Sequence, residues 1–423
     1  MKNLIRKIAI FWDDKNLRQR LLVTVGILIL FRVLATIPVP GVDAFRLSSL
    51  LANNQFLGLL NIFSGGGLSN LSIIMLGVGP YITGSIIMQL MTVIFPKLKA
   101  LYQEEGEAGR MKFAQYSRYL TVPLAVMQAF AFIALLQKQG VLLSMNGFEL
   151  ITNIIIITAG SVLLMWIGEL ISEFGIGNGM SLIIFAGIVA QLPATLSQMV
   201  FAFNVSEIPT YIGFLVGTII VIAGVVVITE AERPIPVTYA KRVRGDKVYG
   251  GISTYIPLRL NQAGVIPIIF ALSILLFPQT ILSFLASFNN SIIQTIAKFG
   301  QSFIANQLYY GIAYFLLVVV FTYLYTAVTF DPDTIATNLQ KNGAFIPGVR
   351  PGQSTSEHIA RILTRLTLFG ATFLGVIAIL PLIMRYITGI QSLAIGGTAL
   401  LIVVSVVIDF VKKVNAQVSL REY

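Results

Sequence analysis

Residues 56–95 read FLGLLNIFSGGGLSNLSIIMLGVGPYITGSIIMQLMTVIF, and the two parts of this stretch pose different problems for a fold. From Leu71 to Phe95 the chain is apolar and carries no charge. That length can cross a hydrocarbon core, which takes about 20 residues of helix. From Phe56 to Leu71 the chain is too polar and glycine-rich to span, yet too apolar for a simple solvated loop. Non-helical backbone is tolerated at membrane depth only where protein or a watery cavity surrounds it. The segment therefore fits a short re-entrant helix with a glycine hinge, or else an interfacial loop. Gly77, Gly79, Pro80 and Gly84 leave the span that follows free to kink.

The rest of the chain belongs to the same solvent. Of its 423 residues, 56% are hydrophobic and 11% charged, and the mean hydropathy is +0.85. Soluble domains carry about 25% charged residues. Ten stretches are span-length: 21–39, 71–95, 120–136, 151–171, 180–200, 212–229, 262–285, 308–330, 366–384 and 392–411. An even number puts both termini on one side. With the N-terminus inside, 24 of the 29 lysines and arginines fall in inside segments and 4 outside, with Arg32 left within a span. Such a bias marks the inside segments as cytoplasmic. The basic start, Lys2 to Arg20, resembles that of a signal peptide, but the apolar run after it is span-length and no small-x-small cleavage site follows. It reads as a retained first span.

The organisation that follows is a cytoplasmic segment 1–20, a first half 21–200 with spans one to five, a second half 201–411 with spans six to ten, and a cytoplasmic tail 412–423. Glycines recur at the start of the fifth and tenth spans, Ile176-Gly177-Asn178-Gly179-Met180 and Ile395-Gly396-Gly397-Thr398. Two halves of five spans have opposite topology and can form an inverted repeat. The expected fold is thus an all-α polytopic membrane protein, ten transmembrane helices in two inverted pseudo-symmetric halves with a re-entrant segment. Two cytoplasmic loops, 230–261 and 331–365, mix basic residues with Pro, Gly and aromatics. Loops of that length are expected to be ordered projections that meet a partner. Their positive charge suits an acidic partner, though it also follows from topology alone.

Several chemistries lack their residues. There is no cysteine, and the one histidine, His358, sits in the polar run Ser354–His358 and reads as a solvated surface residue. No catalytic set and no metal site is expected. No G-x-x-x-x-G-K-[ST] occurs, and Ser64-Gly65-Gly66-Gly67 lacks the lysine of a phosphate loop. The spans hold only Arg32, Glu169 and Asp409. Asp409 lies near a span end, Glu169 near a cytoplasmic boundary, and Arg32 either snorkels or pairs within the bundle. No chain of carboxylates crosses the interior. That weighs against the rival reading, a secondary transporter of a small solute, and against an intramembrane protease.

Eight strings, in order along the chain, carry a resemblance: Asn61–Ser69, Gly79–Ile82, Glu105–Arg110, Gly175–Ser181, Tyr239–Arg242, Asn261–Pro267, Gly343–Gly352 and Gly396–Ile402. The chain resembles the SecY family, the pore subunit of the bacterial Sec translocon. The resemblance implies a two-halved clamshell around an hourglass pore, and a channel that moves unfolded secretory polypeptides across the bacterial plasma membrane and releases transmembrane segments sideways into lipid. Positions matching the family's constriction ring are Val78, Ile82, Ile184, Ile269 and Ile402. A narrow ring of aliphatic side chains offers no hydrogen bonds and tends to dewet. The segment about 61–71 matches the plug, with Asn61, Phe63, Ser64, Gly65, Gly66, Gly67 and Leu68. Thr83, Gln128 and Asn261 match polar positions of the lateral gate, where hydrogen bonds between spans are expected to hold a seam shut. Arg350 matches an arginine of the last large cytoplasmic loop that docks partners, with Arg242, Arg244 and Lys247 as secondary contacts. The implied partners are the SecA ATPase, the ribosome through its RNA, the small SecE and SecG subunits, signal peptides and nascent polypeptides, and membrane lipids. No cofactor is implied.

Overall fold

The fold is seen in a computed structural model. It describes residues 14–39, 61, 64–138, 140, 142, 146–201, 208–239, 242–244, 247–249, 253–285, 294, 295, 297–300, 302, 306–388 and 391–419. The expected plug residue Phe63 lies outside the described residues, as do residues 1–13 of the N-terminal segment and 420–423 of the tail.

Each of the ten apolar stretches coincides with a helix. Helix α1 (Lys15–Leu34) starts where the Asp14 carboxylate accepts from the N–H groups of Asn16 at 2.8 Å and Leu17 at 3.3 Å, satisfying donors that a helix start leaves unpaired. Its exit then pairs with the approach to the second span: Val39 N–H donates to Leu71 O at 2.8 Å and Ile73 N–H to Ile37 O at 3.0 Å. From Ser64 to Val78 the backbone is a series of turns. Helix α2 (Gly79–Ile94) begins eight residues after Leu71, with Pro80 in its first turn. Phe95, ahead of Pro96, is extended, as residues before proline prefer. The short α3 (Pro96–Gln103) consequently leaves at 116° to α2.

The remaining helices are α4 (Gly106–Lys138), α5 (Gly147–Phe174), α6 (Gly179–Phe201), α7 (Ile208–Glu230), α8 (Ile266–Leu285), α9 (Gln307–Thr329), α10 (Pro332–Lys341), α11 (Gln353–Thr388) and α12 (Gln391–Ser419). Among the described residues, the helical stretches Gly106–Gln137, Gly147–Phe174, Gln307–Lys341 and Gln353–Leu380 are each long and apolar enough to cross a membrane, as is the bent pair α2–α3. Parts of α6, α7 and α8 form shorter apolar helices. Large apolar side chains face outward from these helices, among them Ile29 at 60%, Ile155 at 61% and Ile220 at 65% exposure, the pattern of a surface solvated by lipid.

The packing repeats. In the first half α2 packs on α4, α4 on α5, α5 on α6, α1 on α5 and α6, and α2 on α5. In the second half α8 packs on α9, α9 on α11, α11 on α12, α7 on α11 and α12, and α8 on α11. Each pair in one half thus has its counterpart in the other. The halves meet along two seams. On one, α8 lies against α2 and α4; on the other, α12 lies against α6.

The two large loops, 230–261 and 331–365, contribute to one small lobe. Strand β1 (Glu232–Tyr239) pairs antiparallel with β4 (Ser253–Arg259), and β5 (Ala344–Phe345), from the other loop, adds to β1 at Thr238 and Tyr239. Ile235, Val237, Leu258, Ala344, Ile346, Ile359 and Leu366 form its apolar core. Between β1 and β4 runs a hairpin of β2 (Arg242–Arg244) and β3 (Lys247–Tyr249). Pro234 and Pro236 lack an N–H, so in β1 they fit only positions whose donor the β4 ladder does not need. Those positions turn to the open side of the strand and blunt it against strand addition.

Candidate functional site

The five aliphatic residues expected to form a ring are all buried, and Ile82, Ile184 and Ile269 share the wall of one cavity. Val78 caps the N-terminus of α2 and Ile82 lies one turn in, while Ile184 comes from α6, Ile269 from α8 and Ile402 from α12. Their exposures are 0, 7, 1, 6 and 1%, and all five belong to one buried apolar cluster. Two of the four contributing helices, α2 and α8, face each other across one seam. The other two, α6 and α12, face each other across the second. The four helices that carry these five residues are thus the ones that meet across the two seams, and all five side chains are β-branched, with few rotamers.

Next to the ring the lining turns polar. A cavity of about 280 Å³ has Ile82, Ile184 and Ile269 in its wall together with Tyr81, Gln89 and Glu169. A second cavity, of about 240 Å³, is lined by Asn261, Arg259, Asp409 and Lys413 among others, and shares Asn178, Ser181, Ile266 and Tyr325 with the first. The two cavities thus adjoin, with polar and apolar side chains mixed in their walls.

The segment expected as the plug is held by both neighbouring helices. Ser64 and Leu68 are each 1% exposed, and Gly65, Gly66 and Gly67 are buried. Asn61 O accepts from Gly66 N–H at 2.8 Å and from Gln191 Nε2 at 3.2 Å, and Asn61 Oδ1 accepts from Ser69 N–H at 2.9 Å. Gly65, at φ +67°, packs against the Phe31 ring and the Gly187 backbone so closely that a Cβ on either glycine would collide. Arg32 Nη1 donates to Gly65 O at 2.8 Å. The charged residue of the first span thus pairs within the bundle, with a backbone carbonyl 33 residues on. Leu68 and Leu71 join Ala129, Phe132 and Ile157 of α4 and α5 in a second apolar cluster, separate from that of the ring. Leu71, alone among the described non-glycine residues, has positive φ, 41°. Its N–H donates to Leu68 O and its carbonyl accepts from Val39 N–H, and such bonds hold a residue in a sparsely populated conformation.

The polar residues expected at the lateral seam bond locally. Thr83, on α2, donates to Gly79 O of its own helix at 3.0 Å. Asn261, just before α8, donates through Nδ2 to Gly264 O at 3.0 Å, which leaves Oδ1 buried without a donor. Gln128 is half-buried on α4. The expected clasp across the seam is not made by these bonds of Thr83 and Asn261. A threonine in a helix has its own i−4 carbonyl within reach, and Asn261 closes a turn before α8.

Arg350 stands exposed in the turn between β5 and α11. The turn is fixed by Val349 N–H donating to Ile346 O at 3.0 Å and Thr355 Oγ1 to Arg350 O at 2.8 Å, with Gly348 and Gly352 at φ +83° and +98°. Arg242 and Arg244 lie in β2, where Arg244 is opposite Lys247 of β3; their side chains lie outside what is described. Sequence reading missed the pairing of Arg118 with Glu169, Nε to Oε1 at 2.7 Å, which ties α4 to α5. Its one signal was an uncompensated glutamate near the end of a span. Among the described residues no group of His, Cys, Asp or Glu is placed to hold a metal ion.

The SecY family profile matches residues 72–411. Protein translocase subunit SecY of Mycobacterium tuberculosis is 42% identical over 429 residues, covering 96% of each chain. The Thermus thermophilus subunit of the same name is 42% identical over 428 residues, covering 98% of this chain and 96% of its own. Among solved structures, one described as "The structure of a protein conducting channel" superposes with a TM-score of 0.66 at 22% identity, covering 95% of this chain and 92% of that one. Another, "Sec61 in the Canine ribosome-channel complex from the endoplasmic reticulum", gives 0.62 at 19% identity with the same coverage. Helical architecture, twofold packing and sequence over nearly the whole length agree: the chain belongs to the SecY family.

Proposed function

We propose that the chain is the pore of a protein-conducting channel. An unfolded polypeptide enters the polar vestibule, passes the aliphatic ring between the two halves and displaces the 61–71 segment at the far side. Sufficiently apolar segments leave sideways into lipid where α8 meets α2 and α4. The observation that supports this reading is that Val78, Ile82, Ile184, Ile269 and Ile402, on four helices that meet across both seams, are all buried within one apolar cluster, three of them in the wall of a partly polar cavity. Such a constriction resists ions by dewetting and still yields to a chain that fills it. The activity is conduction rather than catalysis.

We further place the protein in the bacterial plasma membrane, with ten crossings and both termini cytoplasmic, as the lysine and arginine bias requires. Thr83, Gln128 and Asn261 line the path of lateral release. Arg350, rigidly presented on the loop lobe, docks the SecA ATPase or the ribosome, and Arg242, Arg244 and Lys247 add contacts. The ribosome–channel complex of the Sec61 structure supports the ribosome as one partner. SecE and SecG cover part of the outward apolar surface.

The cysteine-free chain allows a direct test. With Ile82→Cys and a cysteine in a precursor stalled in transit, a crosslink forms at Ile82 and not at a control cysteine replacing Ile29, which faces outward. Crosslinking at both positions, or at neither, refutes the path.

A further inference from the structure

We propose that the cavity beside the ring is a receptor for one cationic side chain of the polypeptide, a lysine or arginine standing just ahead of its apolar segment. The inference rests on the channel reading above and adds to it a chemical preference at the cytoplasmic mouth.

The lining of the cavity is unbalanced. Its wall of about 280 Å³ contains one carboxylate, Glu169, and no lysine, arginine or histidine. Arg118 occupies Glu169 Oε1 from outside the cavity, its own side chain 43% exposed. A carboxylate offers about four lone-pair positions, so this bond leaves acceptor capacity. Gln89 adds a second acceptor from α2, with Oε1 buried and no donor in reach. A buried acceptor without a partner is costly, and an arriving ligand with N–H groups relieves it. Water or a backbone amide could satisfy Gln89 alone. The carboxylate beside it, paired with Arg118 through Oε1 only, adds further acceptor capacity that suits a donor carrying positive charge.

Position selects the polypeptide as source. The cavity is walled by Tyr81, Ser85 and Gln89 of α2 and by Ile266 and Phe270 of α8, so it lies at the seam between the halves, and Ile82, Ile184 and Ile269 join it to the ring. A segment with basic residues followed by an apolar run, the pattern of secretory signals, sets its cation against Glu169 and Gln89. Its apolar run then falls along α2 and α8.

The test uses the full channel complex in membrane vesicles and two precursors that differ only in carrying Lys or Gln ahead of the apolar segment. The readout is the ratio of their initiation rates. In the wild-type channel the lysine form is favoured. Glu169→Gln and Gln89→Leu each reduce the ratio about fivefold, the factor that corresponds to a contact of about 1 kcal/mol. A wild-type ratio near one, a ratio unchanged in both variants, or equal slowing of both precursors overturns the proposal. Loss of all transport by the wild-type complex would instead sink the channel reading itself. A second measurement leaves Glu169 and Gln89 in place. Ser85→Cys crosslinks to a precursor cysteine beside the lysine at least fivefold more than to its glutamine counterpart, and equal yields overturn the site.

Discussion

The bond from Arg32 to Gly65 gives a measurable handle on how firmly the 61–71 segment is held. It joins a guanidinium to a carbonyl at 2.8 Å, and hydrogen bonds to charged groups are worth about 1.5–3 kcal/mol. Arg32 is half-buried, which argues for the lower end. Arg32→Met removes the donor, keeps much of the side-chain volume and leaves Gly65 O unpaired. If displacement of the segment breaks this bond, its displaced population rises about 12-fold for 1.5 kcal/mol and about 140-fold for 3 kcal/mol. Leu68, 1% exposed, is the reporter. In the cysteine-free chain, a thiol introduced by Leu68→Cys reacts with an impermeant maleimide only while the segment is displaced, so the labelling rate follows that population. Gly187→Ala should act in the same direction through different chemistry, because its Cβ would press into the Gly65 backbone. A thiol introduced by Ala125→Cys, at a fully buried position on α4, should stay protected and report that the bundle is intact. Labelling at Leu68→Cys within twofold of the parent, in both variants, would refute the latch.

Other consequences can be checked in parallel. Ile402→Asn puts hydrogen-bonding groups into the ring, so iodide flux through reconstituted channels should rise about tenfold for each 1.4 kcal/mol removed from the dewetting barrier; flux equal to the parent's would exclude Ile402 from the seal. Arg350→Glu reverses the charge on an exposed, fixed turn and should abolish SecA-driven transport while membrane insertion stays normal, as read by fractionation and a transport assay. Arg118→Ala should cost no more than about 1 kcal/mol of stability, since the pair it breaks is partly exposed and screened; a fall in Tm of more than about 5 °C in detergent would mean the pair is worth more than its exposure allows.

Hydropathy located the helices because a lipid-facing surface has to be apolar, and it misjudged their ends for the same reason. The third span was expected at 120–136, but α4 runs from Gly106. The ninth was expected at 366–384, but α11 starts at Gln353. In both cases the helix continues into a more polar segment, which a window of apolar residues does not register. The loop sheet was less legible still. Pro234, Pro236 and Pro257 argue against strands, and β1 and β4 tolerate them because their ladder needs donors from alternate residues only. Nothing in the sequence tied Thr238 to Phe345 across more than a hundred residues. Arg32 was conspicuous as a lone charge, while its partner is a backbone carbonyl, which no residue pattern announces. Val78, Ile82, Ile184, Ile269 and Ile402 were singled out through family resemblance alone, since an isoleucine in a span is usually mere packing.

The two seams are unequal, and the inequality bears on how such a channel opens. Across the α6–α12 seam, Ile184, Ile188, Ile402 and Val406 are buried in the central cluster, and Lys412 ties α12 back to α7 through Glu230 at 2.8 Å. Parting that seam would expose close-packed aliphatics and strain a helix held on two sides. Across the other seam α8 meets α2 and α4 beside a cavity walled in part by Tyr81, Ser85, Gln89, Ile266 and Phe270, and Gln89 there holds a buried oxygen that no donor satisfies. Separation at that place lets the unpaired acceptor of Gln89 find a partner. In the proposed channel the five aliphatic residues sit on the helices of both seams, so hinging at α6–α12 and parting at α8 would widen the constriction and open a lipid-facing slot in a single motion. Passage through the membrane and release into it are on this argument two outcomes of one rotation, chosen by whether the segment in the ring is apolar enough to prefer lipid.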